Sequence, residues 1–345
     1  EGVTNTYYAK LDGKFTSNEV LIDLIIPFTP QELSDMEYVD NIIKTVMLQN
    51  ATPDYLKEVP AEFIQNGNND PDGSEYAGIF EQRYNELVAA LDSLIDEGKV
   101  SSYNYDEVNR VFNCLYSNNI WFFVVPDDVF ENVTYPNDIP VRSSDYSGHN
   151  ALILNAFEDT DYRTKFYEKL VKEWRSKGLT VEYNDSVSVA YLMTNLSGYD
   201  IITFNGHGRF FNNRSVFCLE ETATITTDSS YNADIVAGRV ERVNYADGTS
   251  SYVVSGDFFT HHYGSNGLEK SFVFSEACMF MGADSELGFD DTFANAFISC
   301  SAEAAVGFEN SVMADYSREL MVFYIEELLT GATASEAFNS ARNEY

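Results

Sequence analysis

The stretch that decides the fold spans residues 270–282 and reads KSFVFSEACMFMG. Its first half is a short apolar run rich in β-branched and aromatic residues, which predicts a buried β-strand. The run stops at Cys278, and small and flexible residues follow. In open α/β sheets the carboxyl ends of the strands form the ligand crevice. We therefore expect the Cys278 thiol to face a bound ligand rather than the core.

A second stretch of the same design spans residues 199–208 and reads YDIITFNGHG. Its apolar strand ends at His207, between Gly206 and Gly208, and these glycines give the backbone freedom and leave the ring accessible. If the two strands are neighbours in one parallel sheet, His207 and Cys278 meet at the same edge. The imidazole can then assist formation of a thiolate that attacks a carbonyl group.

Strand and helix patterns alternate around these two stretches. The alternation predicts an α/β fold with a mostly parallel sheet, right-handed crossovers and flanking helices. Predicted strands cover residues 151–157, 179–183, 199–205, 271–275 and 304–308, and predicted helices cover 160–177, 186–196, 292–301, 314–329 and 335–343.

The alternation is interrupted between residues 211 and 267. Thr-rich and Tyr/Val-rich runs surround Asp247-Gly248 there, which predicts a β-hairpin insertion beside the active edge. A linker rich in Pro, Asn, Asp and Ser at residues 132–148 precedes the whole pattern, so we expect a domain over residues 148–345.

Residues 1–140 differ from this pattern, and we expect a mainly helical accessory region or prodomain. Amphipathic spacing predicts helices at 31–49, 79–97 and 106–116, and an apolar run predicts a strand at 119–125.

A polar loop at residues 66–74 resembles the first half of a calcium-binding loop through its Asn, Asp and Gly residues. The position where a bidentate Glu should close such a loop is Ile79, so we expect a solvated turn. Calcium binding is the alternative, and no other cofactor is implied.

Composition limits the partners and the location. The chain has 345 residues, 44% of them apolar, and a net charge of -34. Such a surface repels nucleic acid and anionic membranes and attracts cations, and no apolar run is long enough to span a bilayer. The chain opens at Glu1 in polar sequence, so we expect a leader to have been removed from a secreted or bacterial cell-surface protein.

The four cysteines are widely spaced and contain no CxxC pair, which argues against a zinc site or a disulfide scaffold. Free cysteines are most often buried and act as small hydrophobes. We expect this of Cys114, Cys218 and Cys300, and reserve chemistry for Cys278 at its strand end.

The combination of a strand ending in His-Gly and a later strand ending in Ala-Cys resembles the caspase-like (clan CD) cysteine peptidases. These include clostripain, gingipains, legumains, separases and CHAT domains. Residues 293–297, 305–307 and 323–338 look like the C-terminal half of a CHAT domain, and Glu276-Ala277-Cys278 resembles the corresponding segment of clostripain-like enzymes. The resemblance covers residues 150–345.

This resemblance implies a cysteine endopeptidase, that is, a thiol protease. Cys278 would be the nucleophile and His207 the general base and acid. The backbone N–H groups of Gly208 and Cys278 would form the oxyanion hole. The resemblance assigns no third triad residue, because a backbone carbonyl often orients the imidazole in this group.

The resemblance also implies that Glu276 selects Arg or Lys before the scissile bond, so the partners would be protein or peptide substrates with basic residues. Glu276 is longer than the Asp usual at that position. Asp257, Asp284 or Glu303 could supply the acid instead, and Glu276 would then be an ordinary charged residue at a strand end.

A histidine pair and several basic residues lie between His207 and Cys278 in the chain. We interpret His261 and His262 as exposed loop residues, because no carboxylate or Cys spacing supports a metal site. Self-processing sites are conceivable at the basic residues Arg209, Arg214, Arg239, Arg242 and Lys270.

Two other interpretations compete with an open peptidase. The chain could be a catalytically idle caspase-like protein-interaction module, although such a module needs neither His207 nor Cys278. Alternatively, residues 1–140 or 211–267 could occlude the dyad in a zymogen.

Overall fold

The computed structural model describes residues 10–11, 14–15, 28–53, 75–127, 145–157, 161–282, 290–312 and 314–344. These residues form a five-stranded sheet, a seven-stranded sheet and a two-stranded ribbon. The ribbon consists of β1 (Lys10–Leu11) and β2 (Lys14–Phe15). None of the described helices combines the length and the apolar character needed to cross a bilayer.

The five-stranded sheet is parallel throughout, and every one of its strands was predicted. The first strand along the chain lies inside the sheet, and the strand order reverses beside it. From one edge to the other the strands are β14 (Ala304–Val306), β13 (Phe272–Ser275), β8 (Ile201–Gly206), β6 (Asn150–Ala156) and β7 (Thr180–Asn184).

Helices cover both faces of this sheet, which confirms the predicted α/β class. Successive residues of β6 point to opposite cores: Ile153 packs in one, and Leu152 and Leu154 pack in the other. Burial on both faces explains why these strands read as continuous apolar runs. The first core contains α3 (Asp161–Ser176), α9 (Ala314–Leu329) and α10 (Ala334–Glu344), and the second contains α7 (Gly256–Tyr263) and α8 (Thr292–Ser299).

The helix predicted at residues 186–196 is reduced to a single turn, α4 (Val189–Leu192). The side-chain amide of Asn195 donates to the carbonyl of Tyr191 at 3.0 Å. A side chain that bonds the backbone in this way competes with helix propagation, and the turn stops there.

The seven-stranded sheet is antiparallel except where β5 and β11 run parallel. The predicted hairpin at Asp247-Gly248 is confirmed as β11–β12, with Gly248 at a φ of +79°. In spatial order the strands are β3 (Val100–Asp106), β4 (Val111–Tyr116), β5 (Trp121–Val125), β11 (Val240–Tyr245), β12 (Ser250–Val254), β10 (Arg214–Thr222) and β9 (Gly208–Phe211).

The strands of the N-terminal region and those of the predicted insertion therefore share one sheet. The insertion also holds α5 (Ile225–Ser230) and α6 (Asn232–Val236). Two helices predicted near residues 31–49 and 79–97 are confirmed as α1 (Pro30–Gln49) and α2 (Glu75–Asp96). The loop at 66–74 lies outside the described residues.

The third helix predicted in the N-terminal region, at residues 106–116, is wrong. The carboxylate of Asp106 accepts hydrogen bonds from the N–H groups of Val108 and Asn109, both at 3.0 Å. These bonds close a turn, and β4 begins at Val111. The predicted strand at 119–125 is confirmed as β5.

A buried arginine joins α1 to the seven-stranded sheet. Arg242 of β11 lies 3.1 Å from Asp40 of α1 and 3.5 Å from Asp228 of α5. Burial raises the pKa of both carboxyl groups, and the Arg242 charge opposes that rise. The N-terminal helix is thus fastened to the sheet by charge as well as by apolar packing.

Candidate active site

The two strands that carry the predicted dyad are neighbours. β8 and β13 run parallel, with Ser275 opposite Phe204, and the N–H of Glu276 donates to the carbonyl of Phe204 at 2.9 Å. Both strands therefore end at the same edge of the sheet; His207 directly follows β8, and Cys278 lies three residues beyond the end of β13. The predicted juxtaposition of the two strand ends is confirmed.

The backbones of Gly208 and Cys278 are in direct contact. A Cβ atom at Gly208 would lie 2.8 Å from the carbonyl carbon of Cys278 and 3.1 Å from its amide nitrogen, and it would overlap the carbonyl oxygen. Only glycine fits this approach without moving the Cys278 peptide. The contact fixes the two strand ends relative to each other.

The peptide between His207 and Gly208 has a defined orientation. The carbonyl of His207 accepts a hydrogen bond from the N–H of Cys218 in β10 at 2.9 Å. This peptide is trans, so its N–H points the opposite way from its carbonyl. The N–H of Gly208 therefore points away from β10 and out of the hydrogen-bonding ladder of the seven-stranded sheet.

His207 is the single residue between the two sheets, because β8 ends at Gly206 and β9 begins at Gly208. Its half-buried ring meets the ring of Phe157 edge to face, with centroids 5.2 Å apart and an interplanar angle of 84°. Phe157 follows β6 directly, so a third strand end contributes to the site. Sequence reasoning missed Phe157, although its position after a strand of the same sheet was a usable signal.

Cys278 is half-buried and lies in a turn that the segment after β14 supports. The N–H of Val312 lies 3.4 Å from the Cys278 sulfur, and the thiol lies 3.7 Å from the Val312 carbonyl. The N–H of Met279 donates to the carbonyl of Asn310 at 3.2 Å, and Met279 has a φ of +55°. Sequence reasoning missed this support, which comes from the carboxyl end of another strand of the same sheet.

Glu276 lies under the site rather than on its surface. Its side chain is about 1% exposed, accepts a hydrogen bond from the Tyr167 hydroxyl at 3.0 Å, and lies 3.7 Å from the Arg318 guanidinium. Arg318 is fully buried, and its guanidinium carbon lies 5.5 Å from the ring of Phe166 and 5.9 Å from that of Tyr167. The acid two residues before the cysteine thus already has a cationic partner within the chain.

The alternative acids differ in position. The N–H of Glu303 donates to the carbonyl of Ser271, which precedes β13, so Glu303 lies at the amino edge of the sheet. The dyad lies at the carboxyl edge, so Glu303 is wrong as a pocket acid. Asp257 is exposed in the first turn of α7, and Asp284 lies outside the described residues.

The other three cysteines are buried, as expected of structural thiols. Burial raises the pKa of the Cys114 thiol, and it raises those of Cys218 and Cys300 to about 11. Such thiols are protonated at neutral pH and are poor nucleophiles. The half-buried Cys278 differs from all three in its exposure.

Comparisons with known proteins do not assign the chain to a family. No protein-family model matches it, and no curated protein matches it either. The chemistry of the site is therefore interpreted from its own geometry.

Proposed function

We propose that the protein is a cysteine endopeptidase with Cys278 as nucleophile and His207 as general base and acid. The observation that carries the proposal is the backbone contact between Gly208 and Cys278, which holds two neighbouring strand ends together at the carboxyl edge of the sheet. His207 takes the thiol proton, and the sulfur adds to the peptide carbonyl. His207 then protonates the leaving amine, and water hydrolyses the thioester.

Backbone N–H groups would stabilise the negative oxygen of the tetrahedral intermediate. The N–H of Gly208 supports this role because it points away from β10, into which the His207 carbonyl bonds. The N–H of Cys278 would be the second donor. Fixed donors of this kind cost no reorganisation when charge develops, and losing one typically slows the reaction about a hundred-fold or more.

We also propose a preference for Arg or Lys before the scissile bond, with Glu276 as the recognising acid. A substrate cation would have to share the Glu276 carboxylate with Arg318 or displace it. A desolvated carboxylate rejects a neutral group strongly, because an unpaired buried charge is costly. The preference therefore depends on movement of Arg318 or of α9, which carries it.

Self-processing after a basic residue is part of the same proposal. Ion pairs in the folded protein reduce the number of basic residues after which cleavage could occur. Arg214 pairs with Glu241, Arg239 with Asp234 and Arg242 with Asp40. A bond after a residue held in this way is a poor substrate, because cleavage requires an extended segment. Lys270 is exposed in the turn before β13 and is the better candidate.

The composition supports a proposal about location and partners. A net charge of -34 favours solubility and attracts cationic proteins and peptides. We therefore propose that the enzyme is secreted or lies on the bacterial cell surface and acts on proteins with basic segments.

The test is a scan of fluorogenic peptides varied at the residue before the scissile bond, with and without calcium. The proteins compared are the parent, Cys278→Ala and Cys300→Ala. Cys300 is a matched control because it is a buried thiol at the end of α8. We expect cleavage after Arg or Lys by the parent and by Cys300→Ala, and none by Cys278→Ala.

The remaining outcomes separate the alternatives. Cleavage after other residues that Cys278→Ala abolishes would retain the dyad and remove Glu276 from recognition. Equal cleavage by the parent and Cys278→Ala would reject Cys278 as the nucleophile. Silence from all three proteins, followed by activity after brief trypsin treatment, would indicate an occluded zymogen. Continued silence after trypsin would indicate the idle interaction module.

A further inference from the structure

A second cluster of reactive side chains lies away from the dyad, where α6 meets α7. Asp234 of α6 and His261 and His262 of α7 place their potential ligand atoms within 4.8 Å of one another. The sequence-based interpretation of the two histidines as loop residues is wrong, because both lie in the last turn of α7. The fold also supplies the carboxylate that local sequence spacing lacks, since Asp234 precedes His262 by 28 residues.

The spacing of His262 and Asp234 suits a first-row metal ion. In a tetrahedral zinc site with bonds of about 2.0–2.2 Å, neighbouring ligand atoms are roughly 3.4 Å apart. The Nε2 atom of His262 lies 3.1 Å from Oδ1 and 3.2 Å from Oδ2 of Asp234. A metal ion that took the place of the proton between these groups would need only small shifts of the two side chains.

The surroundings hold the ligands in place. Asp234 is buried, and its Oδ1 accepts a hydrogen bond from Nε of Arg239 at 2.6 Å. Both carboxylate oxygens therefore face His262, and Oδ1 is also oriented by Arg239, as outer-shell groups orient metal ligands. The His262 ring lies against Phe258, with centroids 4.5 Å apart. These contacts fix two of the three ligands before any metal binds.

His261 completes the set from the exposed side. Its ring is nearly perpendicular to that of His262, with centroids 4.8 Å apart, and its potential ligand atom lies within 4.8 Å of those of His262 and Asp234. Because His261 is exposed, it can rotate without disturbing the core. The fourth position of such a site is open to water.

We propose that Asp234, His261 and His262 form a binding site for Zn²⁺ or a divalent metal ion of similar chemistry. Imidazole nitrogen suits zinc, copper and nickel, whereas calcium and magnesium prefer sites made only of oxygen. The site joins α6 to α7, and α7 packs through Phe259 on Phe204 of β8. The site is independent of the proposed peptidase activity.

The test measures Zn²⁺ binding to the full chain after metal removal, by calorimetry and by competition with a chromophoric chelator. Excess Mg²⁺ saturates oxygen-only sites on this acidic surface. All proteins carry Cys278→Ala, because a thiolate and His207 would also bind zinc. We expect one saturable equivalent, the visible spectrum of tetrahedral cobalt when Co²⁺ replaces zinc, and a rise in Tm.

Single replacements assign the site. His261→Ala should weaken zinc binding at least tenfold without unfolding the protein, because its side chain is exposed. His262→Gln and Asp234→Asn should do the same. His149→Ala is the matched control, because His149 is also exposed, lies near Asp200 and should bind zinc like the parent.

Two results would overturn the proposal. One is the absence of a saturable equivalent in the Cys278→Ala background. The other is an affinity that His261→Ala and His262→Gln leave unchanged. In either case the contacts of Asp234 with His262 and Arg239 would be ordinary ion pairs and hydrogen bonds, and the one with His262 would join α6 to α7 without a metal ion.

Discussion

At the scale of single residues, Glu276 forms an ion pair within the protein and is also proposed to recognise the substrate, and both roles need the same carboxylate. Its carboxylate neutralises Arg318, which is fully buried against aromatic rings, and it would also have to receive a basic substrate side chain. Removing one partner of a buried ion pair strands the other charge, which costs roughly 3–5 kcal/mol. The ion pair with Arg318 therefore affects the stability of the fold, and recognition of a basic side chain affects substrate selectivity.

Replacing Glu276 separates its effect on stability from its effect on substrate selectivity. We expect Glu276→Gln to lower the free energy of unfolding by roughly 3–5 kcal/mol, because it removes the buried ion pair between Glu276 and Arg318. Adding Arg318→Met should recover most of that loss, since a buried pair can be exchanged for an apolar side chain of similar volume. Denaturant titration measures both values, and Glu303→Gln, an exposed acid at the opposite sheet edge, is the control.

The peptide scan on the same variants tests selectivity. If Glu276 recognises substrate, Glu276→Gln and the double variant both lose the preference for Arg and Lys. A double variant that regains stability and keeps the parent's selectivity would assign Glu276 to Arg318 alone.

Gly208 permits a sharper prediction about the site. We expect Gly208→Ala to lower kcat/KM about a hundred-fold or more, because the added methyl group displaces the Cys278 peptide and with it the proposed oxyanion donor. Gly78→Ala is the control: this glycine lies within α2 with open space around it, and the change should stabilise the helix by up to about 1 kcal/mol. Full activity in Gly208→Ala would show that the close approach has no catalytic role.

Residue-scale prediction from sequence succeeded where a side chain follows its own strand. His207 and Cys278 were predicted because each ends an apolar run, and neighbouring parallel strands end together. Tyr167 and Arg318 were not predicted, because they reach Glu276 from two helices distant in the chain; Tyr167 alone is 109 residues away. Nothing in local spacing indicates a partner of that kind.

At the scale of elements, β11 carries more charge than a central strand usually does. Glu241 is buried and pairs with Arg214 of β10, which β12 separates from β11 in the sheet. Burial raises the pKa of Glu241 to about 7, and the Arg214 charge only partly offsets that rise. The folded chain thus holds a proton on Glu241 at a pH where the unfolded chain has released it.

This difference in the pKa of Glu241 between the folded and unfolded chain makes the free energy of unfolding depend on pH. Between about pH 4.5 and 7 the folded state binds more protons at Glu241, so the free energy of unfolding falls as pH rises, by roughly 3 kcal/mol in all. Glu241→Gln should remove this part of the profile, so the difference in the free energy of unfolding between parent and variant should change by roughly 3 kcal/mol across this range. Denaturant titrations across that range test it, and parallel profiles for the two proteins would contradict it.

Element prediction failed where polar residues set the backbone. Residues 106–116 combine a charged start with an apolar end, which resembles an amphipathic helix. The Asp106 carboxylate instead ties back to the chain at Val108 and Asn109, and Arg110 has a φ of +52°, so the helical pattern is broken before Val111. The strands of the parallel sheet were easier to predict, because burial on both faces gives each an uninterrupted apolar run.

At the scale of the whole molecule, the N-terminal region and the insertion depend on each other. β5 of the former pairs with β11 of the latter from Phe122 and Arg242 to Val125 and Tyr245. The sequence indicated two separate additions to a parallel sheet. Their pairing could not be predicted, because a strand of either region offers the same apolar pattern to many partners.

Removing the N-terminal region should therefore damage the rest. We expect a chain of residues 145–345 to aggregate or to lack a cooperative thermal transition, because β11 would expose the edge that β5 covers and Arg242 would lose Asp40. Co-expression with residues 1–127 should restore solubility. A soluble, cooperatively folding fragment 145–345 would show instead that the region is dispensable, as a removable prodomain must be.

The junction at His207 limits how such a molecule can evolve. Only one residue lies between β8 and β9. A single inserted amino acid would therefore turn the imidazole to the opposite face of the chain, or it would move every side chain of β9 to the opposite face of its sheet. Substitution is then the only kind of change that natural selection can sample there without dismantling the site. The length of the chain at His207 is therefore fixed for as long as the proposed dyad is used.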